Sequence, residues 1–376
     1  MLIGAIAACI GISAKGRTGG GTDVADEGLA AHAMQFPRDH GSHPDFRTEW
    51  WYATGHATVE GRLFGFQITF FRSRIESAQP LASKFAAKQL LFAHAAVTDV
   101  KGGKLLHDQR IARVGFGVAE AATGDAAIRL RDWSLLHAGD RWIAKVSADD
   151  FALDLAFEPT QGVLLQGKGG LSRKGPAPEN VSHYYSLPQL AVSGSLSVGG
   201  RSYVLPEPAR ENVAPAVVPV IAPANAAWLD REWSDSILHP DAVGWDWIGM
   251  NLADGGALMA FRIRDRAGNT FWDGGSYRSA SGQVRVFERF DTGWQPLRRW
   301  SSAASGAVYP VEWRLNTPIG AFTINALVDN QELDSRASTG SIYWEGLCDL
   351  LGEGGGKRVG RGYLEMTGYA AALRLS

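Results

Sequence analysis

TEWWYATGHATVEGRLFGFQITFFRSRI, residues 48–75, decides the fold. Two runs rich in aromatic and β-branched residues flank Glu60-Gly61, and a glycine-bearing break between such runs is a hairpin signal. Neighbours along a strand point to opposite faces, so Glu49, Trp51 and Ala53 share one side and Trp50, Tyr52 and Thr54 the other. Both sides carry aromatic surface. One suits a core and the other a cavity or a domain interface.

The same punctuation continues outward. QLLFAHAAVTDV (89–100) and KLLHDQRIA (104–112) flank Gly102-Gly103, RWIAKVSA (141–148) follows Gly139-Asp140, and FALDLAFEP (151–159) alternates cleanly. SHYYSLPQLAVSGSLSVGGRSYVL (182–205) adds a pair around Gly199-Gly200. No long amphipathic helix intervenes, and only a short stretch near 78–90 has helical character. Residues 205–226 then bring five prolines, at 206, 208, 215, 219 and 223. Proline lacks the ladder donor, so this stretch reads as an extended linker. A second strand series follows, opening with WDWIGMNLADGGALMAFRIRD (245–265) and closing with RGYLEMTGYAAALRL (361–375). The reading is all-β, in two antiparallel domains, 34–204 and 227–376, joined by 205–226. Eight or nine strands in each half suit barrels or sandwiches.

Bulk composition agrees. A chain of 376 residues is long enough for two domains, and its 45 glycines and 13 tryptophans suit a turn-punctuated β protein. A net charge of −2 argues against nucleic acid as partner, since backbone binding needs concentrated basic surface. The two cysteines, Cys9 and Cys348, imply neither a disulfide framework nor a thiolate metal site. MLIGAIAACIGISAKG (1–16) resembles the apolar part of an export signal, and Ile6-Ala7-Ala8-Cys9 a lipobox. With the polar, Gly-rich stretch after it, 1–30 reads as a leader and tether. The expectation is an exported protein, periplasmic or lipid-anchored, with the cytoplasmic face of the membrane as alternative.

Four segments could carry chemistry. FPRDHGSHPDFRTEWWYATGH (36–56) concentrates Asp39, His40, His43, Asp45, Glu49 and His56. No metal-ligand spacing is present, so no metal is expected. Charges pairing with arginine, or a pocket mouth that includes Glu49 and Trp51, are the readings left open. In NVSHYYSLPQL (180–190), His183 and Tyr185 share a strand face, either as hydrogen-bonded structural groups or as water binders. In AWLDREWSD (227–235), Trp228, Asp230 and Glu232 share one. Two carboxylates and an indole facing one apolar space would raise a carboxyl pKa and create a general acid, whereas pairing with arginine would not. GWDWIG (244–249) puts Trp245 and Trp247 on one face as further ligand-binding candidates. No nucleophile elbow, phosphate loop or dinucleotide motif appears, so no cofactor is expected.

The blocks FPRDHGSHPDFRTEWWYATGH, SHYYSLPQLAVSGSL, AWLDREWSD with GWDWIGMNLADGGALMAFRIRD, and GRGYLEMTGYA resemble the carotenoid 1,2-hydratase (hydroxyneurosporene synthase) and AttH-like family over roughly 34–372. The resemblance implies two lipocalin-like β-barrels. It also implies an elongated apolar, isoprenoid- or lipid-like ligand, hydrated at a C=C bond by an acid. The family's His-x-aromatic and aromatic-x-Asp elements map onto His183-Tyr184-Tyr185 and Trp228-Leu229-Asp230. Asp230 is then the acid, His183 and Tyr185 position water, and Trp228 flanks the cation. Two alternatives remain: a non-catalytic carrier at the membrane, associated with an ABC transporter, and an ester-type secreted hydrolase.

Overall fold

The computed structural model describes residues 33–208, 222–236, 238–354 and 356–373. The expected leader and tether at 1–30, and most of the Pro-rich linker, lie outside the described residues. The fold is all-β, two curled antiparallel sheets consistent with two lipocalin-like barrels. The stretch near 78–90 is not a helix: a 3-10 turn, Glu76–Ala78, leads through turns into the strand Gln89–Asp99.

The opening hairpin forms as its sequence demands. Thr48–Val59 pairs with Arg62–Arg74 in an unbroken register from Thr48↔Ser73 to Val59↔Arg62. Glu60 and Gly61 both adopt positive φ (52° and 70°), the geometry that matches a tight turn to strand twist. Gln89–Asp99 and then Lys104–Arg113 extend the sheet on one side of this hairpin. On the other side Ala226–Ser234 comes next, then Val181–Val198, Phe151–Glu158, Arg141–Ser147, Trp133–Ala138, Ala127–Leu130 and Ala119–Ala121. The sheet curls almost into a barrel around a core that includes Trp51, Phe66, Ile68, Trp133, Trp142 and Leu155.

The second sheet runs in the order Val284–Phe287, Thr270–Arg278, Ala257–Asp265, Ala242–Leu252, Arg358–Met366, Ile342–Leu351, Gly320–Ala326, Val308–Thr317 and Gly293–Ser301. Its own core gathers Trp313, Trp344, Tyr309, Met250 and Leu364.

One boundary departs from the sequence reading, which opens the second domain at 227. The strand Ala226–Ser234 is hydrogen-bonded on both sides within the first sheet, to Thr48–Val59 and to Val181–Val198. All nine of its residues are buried. Leu229 and Ala227 face the first core, while Trp228 faces a third apolar layer between the sheets. That layer holds Tyr52, Tyr184, Trp228, Trp247, Phe261, Leu347 and Tyr363. Glycines let the sheets approach there: a Cβ on Gly65 would lie 2.6 Å from Tyr363 Oη and 3.0 Å from Leu347 Cβ. The inter-sheet layer is where the site forms.

Candidate active site between the sheets

Asp230 projects from the centre of Ala226–Ser234 into the inter-sheet layer. Its cross-strand neighbours are Tyr52 on one side and Ser186 on the other. Three donors converge on its carboxyl. Tyr184 Oη donates to Oδ2 at 2.6 Å, Ser186 Oγ to Oδ1 at 2.5 Å, and Trp228 Nε1 to Oδ1 at 2.7 Å. The second sheet completes the arrangement. Trp247 Nε1 donates to Tyr184 Oη at 3.1 Å, and Ser276 Oγ donates to Gln166 Oε1, whose amide in turn donates to Ser186 Oγ.

Burial pushes the Asp230 carboxyl up to about 7. Its three hydrogen bonds oppose that shift and the nearby Glu232 carboxylate adds to it, but desolvation of the charge wins. Glu232, on the same face, pairs with Lys174 Nζ at 3.2 Å. The Lys174 ammonium also lies 4.2 Å over the Phe261 ring and 4.8 Å over Tyr184. Trp247 meets Tyr52 edge-on at 5.3 Å and Trp228 at 6.4 Å, so three aromatic side chains wall the acid.

The second sheet contributes its own acids. Glu345 and Glu365 stand directly opposite one another on Ile342–Leu351 and Arg358–Met366, and Trp247 is the cross-strand neighbour of Glu365 on the other side. Burial pushes Glu365 up to about 8, opposed by a hydrogen bond from Trp245 and reinforced by Asp230 and Glu232. Burial and the facing Glu365 carry Glu345 well above the ordinary carboxylate range. Trp245 itself is half-buried at the edge of the layer.

The remaining sequence candidates face the other way. His183 is registered against Trp233, and Tyr184, not Tyr185, against Glu232. His183 and Tyr185 therefore lie on the barrel-interior face with Glu49 and Trp51, apart from Asp230. There Glu49 forms ion pairs with both Arg72 and Arg231, takes a 2.5 Å hydrogen bond from Ser42 Oγ, and accepts from the His43 amide at 2.9 Å. Burial would raise this carboxyl, but Arg231, His43, Arg72 and Ser42 outweigh it and hold it far below its usual value. Trp51 lies 4.0 Å from the Arg231 guanidinium and donates its indole N–H to the His40 carbonyl. Tyr185 Oη sits 2.6 Å from His40 Nδ1, and His183 stacks on Trp233 at 5.2 Å. Asp39, His43 and Glu49 of the His/Asp run at 36–56 thus join Arg72 and Arg231 in a buried ion-pair network, with Asp39 and His43 at 3.0 Å inside it.

Asp230, Trp228, Glu232, Trp245 and Trp247 are brought to one layer; Glu49, Trp51, His183 and Tyr185 are not. Sequence reasoning missed Tyr52, Tyr184, Ser186, Glu345 and Glu365. The first three were legible as the alternate faces of strands already singled out, and Glu365 lies in the block GRGYLEMTGYA, whereas Glu345 sits in a run with no motif around it.

The AttH-like family profile matches residues 27–369. The chain is similar to a crystal structure from Nitrosomonas europaea named as an AttH, with 43% identity, a TM-score of 0.80, and 91% of this chain and 98% of that chain covered. It also shares its fold with kievitone hydratase from Nectria haematococca, at 15% identity and a TM-score of 0.68, over 91% of this chain and 94% of that one. No curated protein matches the chain.

Proposed function

The chain belongs to the AttH-like family, and from that premise we propose that it takes an elongated apolar, isoprenoid-like ligand between its two sheets and hydrates a C=C bond, with Asp230 as the acid. The observation that carries this reading is a buried carboxyl raised to about 7, hydrogen-bonded to a phenol and walled by aromatic faces. The fold shared with kievitone hydratase and the resemblance of the sequence blocks to carotenoid 1,2-hydratases support it.

The chemistry follows from the hydrogen bonds. When Asp230 is protonated on Oδ2, that proton is donated to Tyr184 Oη, which still accepts from Trp247. The phenol hydrogen is then released to point elsewhere. Tyr184 gives it to the less substituted alkene carbon as the Asp230 proton moves onto Tyr184. The C=C electron pair becomes the new C–H bond, leaving a tertiary carbocation. Trp228, Trp247 and Tyr52 supply π faces to that cation, and Asp230, now a carboxylate, supplies the counter-charge. Water adds to the cation. The proton that the added water sheds returns through Tyr184 to Asp230, so the acid is restored and alkene plus water have become the alcohol.

A specific observation favours a second reading. Three protein donors converge on the Asp230 oxygens, as expected of a structural carboxyl in a carrier that releases its ligand unchanged. One experiment decides between them: extraction and mass spectrometry of apolar molecules bound to the protein from its own host, for wild type and Asp230→Asn. Hydration predicts that the two carry molecules differing by one water. The same molecule on both would overturn hydration and leave the carrier.

A further inference from the structure

The Asp230 carboxyl, met by Tyr184, Ser186 and Trp228, serves the proton relay, and the water that the proposed reaction consumes needs a holder of its own. Two of the buried polar atoms without partners among the described residues belong to this layer. Tyr52 Oη and Glu345 Oε1 are both buried, and neither meets the distance and angle of a full hydrogen bond among the described residues, although the two lie within side-chain hydrogen-bonding reach of one another and Glu345 within reach of Tyr343. Neighbouring polar groups of the same layer are paired: His94 reaches Tyr343 Oη and Ser338 Oγ, each at 2.8 Å, and Thr98 Oγ1 donates to Gln331 at 2.7 Å. Buried polar groups are ordinarily satisfied by protein or by ordered water, so two facing orphans mark a place for a guest with both a donor and an acceptor.

The surroundings define that guest. Tyr52 is the cross-strand neighbour of Asp230, and its ring touches Trp247 edge-on. Glu345 is opposed by Glu365, which is only partly buried. Two opposed carboxyls in an apolar layer cannot both be ionised cheaply, so they retain a proton between them and can donate as well as accept. A cation would be drawn to ionised carboxylates and an anion to arginines, whereas a neutral hydroxyl oxygen suits a phenol beside a protonated carboxyl pair.

We propose that Tyr52, Glu345 and Glu365 form a water-binding subsite, built by both sheets and set beside Asp230 in the inter-sheet layer. Its identity as an oxygen site rests on the two unpartnered buried atoms, their mutual interaction and the Glu345–Glu365 register. Its role, holding the water that captures the cation, rests on the hydratase reading above. In that role these are positioning residues: they aim the oxygen at the carbon that Asp230 and Tyr184 have made cationic, and no bond to them forms or breaks.

Two measurements on the full chain test this separately. The first is a high-resolution crystal structure of the ligand-free protein at neutral pH. The expected result is an ordered oxygen within about 3.2 Å of both Tyr52 Oη and Glu345 Oε1, as a water with two protein partners requires. A direct Tyr52–Glu345 hydrogen bond with no oxygen between them overturns the subsite. The second follows citronellol, a chain with one trisubstituted alkene, in D2O. Tyr52→Phe and Glu345→Gln should lower hydration about tenfold or more, as misplaced reactants do, while deuterium still enters recovered alkene through reversible protonation. Asp230→Asn should remove both signals. Parallel loss of hydration and exchange in Tyr52→Phe overturns the positioning role. If wild type neither hydrates nor exchanges the alkene, the hydratase reading and the positioning role fall together, and the crystal structure still decides whether the oxygen site exists.

Discussion

Between the ordinary carboxylate value of 3.8 and its folded value of about 7, Asp230 is ionised in the unfolded chain and neutral in the folded one. A raised carboxyl pKa makes stability fall as pH rises through that window, by up to about 4 kcal/mol once pH exceeds 7, at 1.36 kcal/mol per unit. Denaturant unfolding at about pH 5 and about pH 8 should show roughly 2–3 kcal/mol of that loss from Asp230 in wild type, and a dependence smaller by that amount in Asp230→Asn, where the raised Glu345 and Glu365 carboxyls still contribute. Catalysis should follow the same group: hydration declines on the alkaline side of about pH 7 as the neutral acid is depleted, and Asp230→Asn lowers it by roughly 10²- to 10⁴-fold. Glu49 gives the opposite behaviour from a superficially similar residue. Its carboxyl is ionised between Arg72 and Arg231, so Glu49→Gln leaves two buried guanidiniums without a counter-charge. A loss of about 3–5 kcal/mol is expected, measured as a lower denaturant midpoint with unchanged slope. Both acids were visible in the sequence as members of aromatic-rich strands. Which one meets arginine and which one meets tyrosine depends on partners from other strands, 23 to 182 positions away, and no local spacing encodes that.

Alternation along single strands was fully legible: Trp228, Asp230 and Glu232 share a face, as do His183 and Tyr185. What alternation cannot supply is the register between two strands, and a slip of one residue inverts every side chain relative to its partner. Here His183 pairs with Trp233 and Tyr184 with Glu232, so the expected His183 and Tyr185 partners turn into the barrel and Tyr184 takes their place beside Asp230. The strand pair also explains why the elements at the interface tolerate little added bulk. A side chain at Gly65 would collide with Tyr363 Oη and Leu347 Cβ from the second sheet. Gly65→Val should therefore destabilise by about 1–3 kcal/mol through overpacking. It should also lower hydration, because the displaced strand Arg358–Met366 carries Glu365. A substitution of the same kind at Gly61, where nothing lies within 4 Å of a Cβ, adds only backbone strain at positive φ and should leave activity intact. Comparing melting temperature and turnover for the two variants separates interface packing from turn geometry.

At the scale of the whole molecule, the Pro-rich stretch suggested a clean division between two domains, and the hydrogen bonding refuses it. The chain leaves the first sheet after Arg201–Leu205 and returns to its centre as Ala226–Ser234 before the second sheet begins at Ala242. Proline content marks where the backbone cannot join a ladder; it does not say to which sheet the next strand belongs. A chain ending at residue 208 would lack the strand between Thr48–Val59 and Val181–Val198, exposing two long unpaired edges, the ready template for edge-to-edge association. It would also lose Arg231, leaving Glu49 with one of its two arginines. Such a fragment should aggregate. One ending at residue 236 restores both edges and the ion pair, and should run as a discrete species on size exclusion with native-like β circular dichroism. It would still expose Trp228, Tyr52 and Tyr184, which the second sheet covers in the full chain. Its apolar face should therefore bind a hydrophobic dye that the intact protein excludes. If the 208 fragment is instead monomeric and folded, the first sheet does not need its returning strand. Asp230 would then be carried by a separable element rather than by the centre of the barrel that positions it.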